Sequence, residues 1–141
     1  TYFETVGRKG ILAGNKVDDS FSLFPAKSGT VYPIYLVSRF LLTANDISVL
    51  PTNVSAPWQT EANIFRVGQE IRAIVANLQS HKISLQLPTD MFTQVKLLDK
   101  TSFEEATQQP EKFLSSDFTK CSDTISLSPY ALAFLKSNKS N

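Results

Sequence analysis

The stretch that decides the fold is residues 64–88, IFRVGQEIRAIVANLQSHKISLQLP. Apolar and polar residues alternate in it over 70–76 and again over 82–87. Because successive side chains of a strand point to opposite faces of a sheet, each half is predicted to be a strand with one buried face. The polar segment 79–82 between the halves is typical of a short turn. The sequence therefore predicts an antiparallel hairpin.

Shorter β-patterned segments precede this hairpin and are bounded by Gly, Pro or Asn. They lie at residues 2–6, 11–15, 21–24, 30–42 and 47–50. Strands that recur every 8–12 residues or so with such punctuation are typical of a small barrel or sandwich. Proline cannot donate a ladder hydrogen bond, so we expect an edge or a bulge at Pro33.

The last third of the chain changes pattern and predicts short helices. Ser102 and Glu105 have the spacing of a capping box, so a helix is expected to start there. Pro110 either interrupts this helix or opens another turn. Ser128 and Pro129 form a good N-cap and first-turn pair, and the apolar residues that follow predict a terminal helix over 130–135.

Taken together, residues 29–88 resemble the S-one-type RNA-binding domain, a five-stranded barrel of the oligonucleotide-binding class. SGTVYPIYLVSRF (28–40) resembles its first strand, and DISVLPTNVSAPW (46–58) resembles the second and third strands. FRVGQEIRAIVANLQSHKISLQLP (65–88) resembles the fourth and fifth strands. The resemblance implies a mainly β protein with a small five-stranded OB-like β-barrel and short C-terminal helices.

This resemblance also implies three parts in the chain. They are an N-terminal β extension (1–28), the barrel (29–88) and a C-terminal extension with short helices (89–141). The implied function is binding of single-stranded RNA or single-stranded DNA within a larger RNA-processing or translation-related assembly.

Single-stranded nucleic acid is held by aromatic faces that stack on bases and by cations that track phosphates. The candidates for these roles are Arg39, Phe40, Trp58, Arg66, Arg72, His81 and Lys82. Trp58 follows a proline in a polar loop and is the best candidate for an exposed platform, and Arg72 is expected to point outward. The alternative for each aromatic residue is a place in the core, and for each cation an ordinary solvated rim.

Composition favours a second interpretation from a different class. The net charge is only +1, whereas a dedicated nucleic-acid binder usually carries a clear basic excess. The outward aromatic pair that the family presents on its second strand has no counterpart at 47–50. The alternative is therefore a structural or protein-interaction β-domain that has kept the barrel and lost nucleic-acid binding. Its expected anchors on a protein partner are Phe113, Leu132 and Phe134.

The residues give little support to catalysis, so no enzyme activity, no metal site and no cofactor are expected. The five glycines are dispersed and form neither a P-loop nor a dinucleotide fingerprint. A single histidine and a single cysteine, Cys121, cannot build a Cys/His zinc site. The acidic pairs 18–19 and 104–105 have the positions of a turn and of a helix first turn.

The expected compartment is intracellular, without a membrane anchor. One cysteine excludes an internal disulfide, and no apolar run reaches the length of about 20 residues that a membrane-spanning helix needs. No signal peptide is recognisable. The sequence starts at Thr1, so we expect a processed product or a piece of a longer protein.

Overall fold

The computed structural model describes residues 5–6, 11–14, 28–42 and 46–137, so the strands predicted at 2–6, 11–15 and 21–24 lie wholly or partly outside the described residues. Over the described part the protein has three short helices and eight strands, and the predicted mainly β class with short helices is confirmed. In chain order the elements are α1 (Pro33–Leu41), β1 (Ile47–Leu50), β2 (Thr60–Val67), β3 (Glu70–Asn77), β4 (Ile83–Gln86), β5 (Gln94–Leu98), α2 (Phe103–Gln108), α3 (Pro110–Ser115), β6 (Thr119–Lys120), β7 (Thr124–Leu127) and β8 (Leu132–Lys136).

The strands form two antiparallel sheets. Six of them make one sheet in the order β1-β2-β3-β8-β5-β6, and β4 pairs with β7 in a second sheet. A single apolar cluster joins the two sheets, with members such as Val75 on β3, Leu127 on β7 and Leu135 on β8. A barrel must close by pairing its last strand with its first. Here β1 and β6 are the open edges of the larger sheet, so the predicted five-stranded barrel is wrong.

The chain divides into two compact units. One unit contains Thr1–Arg39 and Glu104–Ser116, and the other contains Phe40–Phe103 and Asp117–Asn141. All eight strands belong to the second unit, while α3 lies in the first. The predicted division at 28/29 and 88/89 stays a prediction.

The segment 30–42 is a helix rather than the predicted strand. Pro33 occupies the first position of α1, where its fixed φ and missing N–H are tolerated. Leu36 and Phe40 are both buried and are four residues apart, which places them on one helix face. Alternating burial, which a strand would require, is absent from α1.

The two strands of the opening stretch exist, but they do not form a hairpin with each other. Ala73 and Val75 of β3 are buried, as is Ile83 of β4, so the alternation is confirmed. However, β3 pairs with β2 and β8, whereas β4 pairs with β7 in the other sheet. The real hairpin is β2–β3, closed by a two-residue turn in which Gly68 has a φ of 61°.

The predicted C-terminal helix over 130–135 is a strand. β8 lies in the middle of the larger sheet between β3 and β5, and its residues 133–135 are all buried. A central strand that is covered on both faces has a continuous apolar run instead of an alternating one, which sequence periodicity does not separate from a buried helix. The helix expected after Ser102 is confirmed as α2, and Pro110 opens α3.

One buried amide side chain controls the passage from β3 to β4. Asn77 ends β3, is only 2% exposed, and its Nδ2 donates to the carbonyl oxygens of His81 (2.8 Å) and Ser128 (2.8 Å), with Leu127 at 3.3 Å. Its Oδ1 accepts a hydrogen bond from the backbone N of Gln79 at 2.9 Å. The side chain therefore ties the β3–β4 loop to the β7–β8 loop, and the chain leaves the larger sheet instead of turning back along it.

Asn77→Ala should lower the free energy of unfolding by about 2–4 kcal/mol, because buried carbonyl groups lose their donor and a backbone N–H loses its acceptor. Urea denaturation of the purified chain measures this. Asn63→Ala is the matched control: Asn63 is exposed on β2, and its removal should change stability by no more than about 0.5 kcal/mol. Equal losses in the two variants would contradict a special role for Asn77.

Candidate functional site

The six residues of the second compact unit that are predicted to bind nucleic acid do not form one surface. Arg39 belongs to the first compact unit, and the other six belong to the second. Within the second unit Phe40 and Arg72 come together on the larger sheet, while Arg66 lies near the β2–β3 turn. The remaining three, Trp58, His81 and Lys82, lie in loops at the other end of β2 and β3. Thr60 and Arg66 mark these two ends and are separated by about 20 Å at about 3.3 Å per strand residue.

Arg39 is engaged by a carboxylate of its own unit. Its guanidinium forms an exposed ion pair with Glu111 at 3.2 Å, and the Tyr35 hydroxyl donates to the same carboxylate at 2.7 Å. The hydrogen bond from Tyr35, followed by that from Arg39, lowers the pKa of Glu111. The pKa of Tyr35 is raised by the same bond to Glu111. Glu111 therefore balances the charge of Arg39, one of the predicted nucleic-acid-binding cations.

Three cations gather around phenylalanine rings on the larger sheet, and we call this set the cation–aromatic cluster. Its members are Arg72, Lys96, Lys136, Phe40, Phe118 and Phe134. The Nζ atoms of Lys96 and Lys136 lie 4.5 Å and 4.2 Å from the centroid of Phe118. The guanidinium carbon of Arg72 lies 5.2 Å from the centroid of Phe40, which meets Phe134 edge-on at 5.1 Å. Cations at such distances are attracted to the negative face of an aromatic ring.

Strand register places this cluster on one face of the sheet. Arg72 on β3 is directly opposite Lys136 on β8, and Lys96 on β5 is directly opposite Phe134. Residues opposite each other share a face, and residues two apart on a strand do so as well. The next residue along, Leu135, therefore points to the other face, where the apolar core lies. The sheet thus has an apolar face and a face of cations and aromatic rings.

Lys96 is the most perturbed group of the cluster. Its side chain is only 7% exposed, and burial, reinforced by the charge of Lys136, holds its pKa at about 8 despite the opposing effect of Asp117. Phe40 and Phe134 beside it are also buried. Because its neighbours are packed, the cluster is a closed part of the sheet rather than an open site for a ligand.

Arg72 does not point outward as predicted. Its side chain is 12% exposed and forms an ion pair with Glu70, which is equally buried. It also donates to the backbone carbonyl of Phe40 in the last turn of α1. The last carbonyls of a helix have no partner within the helix, so this donor satisfies one of them. Arg72 is therefore a structural cation.

Trp58 is exposed as the sequence suggested, and it belongs to a second group of residues that we call the loop end. The loop end consists of residues 51–59, 78–82 and 128–131. The Gln79 amide donates to the carbonyl of Trp58 at 2.7 Å, and the backbone N of Tyr130 donates to the carbonyl of Gln79 at 3.2 Å. Trp58 and Tyr130 are each 68% exposed, and Leu78 beside them is also exposed.

Sequence reasoning missed Tyr130 because it was assigned to a helix. The residue has a φ of 55°, which a tyrosine in a helix would not have. The preceding pair Ser128-Pro129 could have indicated this turn, since a proline that follows a break in the apolar pattern also marks a turn.

The described residues contain neither a cluster of metal ligands nor an activated thiol. Over 5–6, 11–14, 28–42 and 46–137 no group of three His, Cys, Asp or Glu side chains is placed to hold a metal ion. Cys121 is buried, and burial followed by the charge of Asp123 raises its pKa, so the thiol is protonated near neutral pH. Among the helices that the structure describes, none combines the length and apolar character that a membrane span requires.

The family model of the D-apionate lactonase C-terminal immunoglobulin-like domain matches residues 62–135. This range runs from β2 to β8 and includes strands of both sheets. The chain belongs to this family of immunoglobulin-like domains. Two antiparallel sheets that enclose an apolar core are the architecture that such domains share.

Solved structures agree with the fold. A conserved exported protein from Bacteroides fragilis has a TM-score of 0.54 at 11% identity, over 94% of this chain and 28% of that chain. A GH30 endoxylanase from Clostridium papyrosolvens C71 has a TM-score of 0.52 at 7% identity, over 77% of this chain and 28% of that chain. The chain thus corresponds to 28% of the length of each protein. A search among curated proteins finds no match.

These findings correct two predictions. The resemblance to the S-one-type RNA-binding domain is wrong, because the best-matching stretch, 65–88, lies inside the immunoglobulin-like match and its two strands enter different sheets. The predicted nucleic-acid-binding function fails with it, and the dispersed positions of the candidate residues explain why. The alternative of a structural β-domain fits better. The intracellular location stays a prediction.

Arg72→Met should destabilise the immunoglobulin-like domain by about 2–4 kcal/mol, because the half-buried Glu70 carboxylate loses its cation. The double variant Glu70→Leu/Arg72→Met should recover most of this loss, since neither charge is then left alone. Chemical denaturation of the single and double variants measures the coupling. Arg66→Met, at an exposed position on β2, is the control. A double variant as unstable as Arg72→Met would refute the interpretation.

Lys96 should make stability rise with pH above about 8, where the folded protein loses its proton. The unfolded chain keeps that proton up to the ordinary lysine pKa of about 10.4, so the unfolded state binds more protons across this window. The gain should be up to about 3 kcal/mol. The measurement is the free energy of unfolding of the wild type minus that of Lys96→Met at a series of pH values, which cancels other titrating groups. A flat difference would contradict the prediction.

Proposed function

We propose that this chain is the non-catalytic C-terminal immunoglobulin-like domain of a larger lactonase-type enzyme, and that it supports the catalytic part by protein–protein contact. The single observation that carries the proposal is the family match over 62–135, which includes strands of both sheets. We assign the lactonase reaction to the rest of the parent polypeptide, because the described residues do not bring together a nucleophile, a general base and an acid that orients the base.

The length relation to other proteins supports an accessory role. Both solved proteins that share the fold are several times longer than this chain, which covers 28% of each. In a polypeptide of that kind a β-domain contributes by burying surface against its neighbour. Such interfaces within a chain resemble those between proteins and have an apolar centre with a polar rim.

The residues that the sequence suggested as anchors are not available for this contact. Phe113 and Phe134 are buried, and Leu132 is half-buried between β3 and β5. The apolar surface that remains includes β1, an edge strand of the larger sheet, where Val49 is 70% exposed. Exposed edge strands are usually covered or blunted in native proteins. We therefore assign the contact with the catalytic part to the β1 edge.

The proposal is tested by comparing three samples: the isolated chain, the parent enzyme, and the parent enzyme without this chain. With a sugar-acid lactone as substrate, the isolated chain should show no turnover. Removal of the chain from the parent should lower the thermal midpoint of the catalytic part. Turnover by the isolated chain, or an unchanged midpoint after its removal, would overturn the proposal.

A point substitution tests the β1 contact more finely. Val49→Asp in the parent enzyme should lower the thermal midpoint of the catalytic part by several degrees, because a charge would be buried in the interface. The same substitution in the isolated chain should have little effect, since Val49 is exposed there. Ser48→Asp, also exposed on β1, is the matched control.

A further inference from the structure

Two aromatic rings at the loop end stand out from the other rings in the part of the chain that the structure describes. Trp58 and Tyr130 are strongly exposed, whereas Phe40, Phe92 and Phe134 are buried. Single exposed apolar residues are common on protein surfaces. Trp58 and Tyr130 are exposed on loops that Gln79 links by hydrogen bonds, and the exposed Leu78 precedes this glutamine in the chain. Exposed apolar residues that gather in this way mark binding sites.

Hydrogen bonds hold the two rings in one neighbourhood. Gln79 receives the backbone N–H of Tyr130 on its carbonyl and gives its side-chain amide to the carbonyl of Trp58. The backbone N of Leu78 also donates to the carbonyl of Gln59 at 2.9 Å. Both aromatic residues are therefore one hydrogen bond away from the same glutamine. The pairings of Thr60 with Asn77 and of Ala76 with Leu132 place both residues on loops at the same end of the larger sheet.

Hydrogen bonds at the ends of the strands fix the loops that carry Trp58 and Tyr130. Asn77 joins the β3–β4 loop to the β7–β8 loop through its buried amide, and it also fixes the backbone of Gln79. The Thr60 hydroxyl donates to the carbonyl of Ala76 at 2.7 Å, which fixes the point where the loop 51–59 enters β2. A surface that is ordered before binding loses less conformational freedom when a ligand arrives.

Tyr130 is held in a backbone conformation that does not suit it. Its φ of 55° lies in the left-handed region, which is a genuine outlier for a bulky side chain. Glycine or asparagine would adopt this conformation at lower cost. The ring is exposed, so burial does not compensate the strain. Strained residues cluster at functional sites, and this one points to a use for the exposed phenol ring.

We propose that the loop end is a glycan-binding site in which the faces of Trp58 and Tyr130 stack on pyranose rings. The electron-rich face of an aromatic ring attracts the weakly positive C–H groups of a sugar face, as it attracts the positive edge of another ring. The segments around the rings carry amide and hydroxyl groups that match sugar hydroxyls in hydrogen bonding. They are supplied by Ser55, Gln59, Gln79, Ser80 and Ser128.

The size of the patch favours a small ligand over a protein. Two aromatic side chains and one leucine offer at most about 400–600 Å² of contact area. A stable protein interface buries about 800 Å² on each partner. The site is also distinct from the β1 edge and does not depend on the proposed enzyme context. Failure of the β1 contact would leave it intact.

The test uses the fluorescence of Trp58, which is the single tryptophan of the chain. The folded chain is titrated with xylohexaose, cellohexaose and mannohexaose up to about 10 mM, which would fill nine-tenths of a site with a Kd of about 1 mM. At least one of these glycans should give a saturable change in emission. No saturable change with any of the three overturns the proposal and leaves a protein partner as the occupant of the patch.

Substitutions at the two rings distinguish a loss of stacking from a loss of structure. Trp58→Ala, measured by calorimetry, and Tyr130→Gly, measured by fluorescence, should each weaken binding by about 5- to 100-fold, the range found when a stacking ring is removed. Tyr130→Gly should leave the thermal midpoint unchanged or raise it, because glycine accepts the left-handed backbone. Val49→Ala, at another exposed apolar position, should leave binding unchanged. Undiminished binding by the Trp58 and Tyr130 variants would equally overturn the proposal.

Discussion

The structure of the larger unit depends on the buried amide of Asn77. A polar side chain without contact to water is tolerated only when its hydrogen bonds are made inside the protein. Here they are made to two loops, and the result is that the chain leaves one sheet after β3 and enters the other at β4. The same bonds order the loops that present Trp58 and Tyr130. One amide thus connects the topology of the fold with its most exposed aromatic surface.

The larger sheet combines an apolar face with a face of cations and phenylalanine rings. Desolvating a cation such as Lys96 is costly, and its low pKa records that cost. Contact with Phe118 offsets part of it, as the ion pair with Glu70 does for Arg72. Groups of this kind are rigid and closed, and they contribute to the shape of the domain rather than to binding. This explains why Arg72, one of the cations predicted to bind nucleic acid, has a structural role.

The immunoglobulin-like architecture changes the positions of the residues that were predicted to bind nucleic acid. In a barrel of the oligonucleotide-binding class, the candidates would converge on one strand face. In the two open sheets the candidates of the second unit are distributed over loops and a sheet instead of converging on one strand face. Trp58 is exposed as predicted, and Gln79, which donates to its carbonyl, also accepts a hydrogen bond from the backbone N of Tyr130.

The sequence by itself determined where several strands and one short helix lie. Alternation identified β3 and β4, and the serine–glutamate spacing identified α2, because these features depend on neighbours within a few residues. Tertiary structure alone decided which strands pair, since β4 finds its partner about 40 residues away in β7 and periodicity carries no record of that distance. It also decided that α1 is helical and that β8 is extended, because the burial of β8 on both faces removes the alternating pattern of a strand. The link of Trp58 and Tyr130 through Gln79 was likewise decided by tertiary structure, because it arises only when three distant loops lie at one end of the fold.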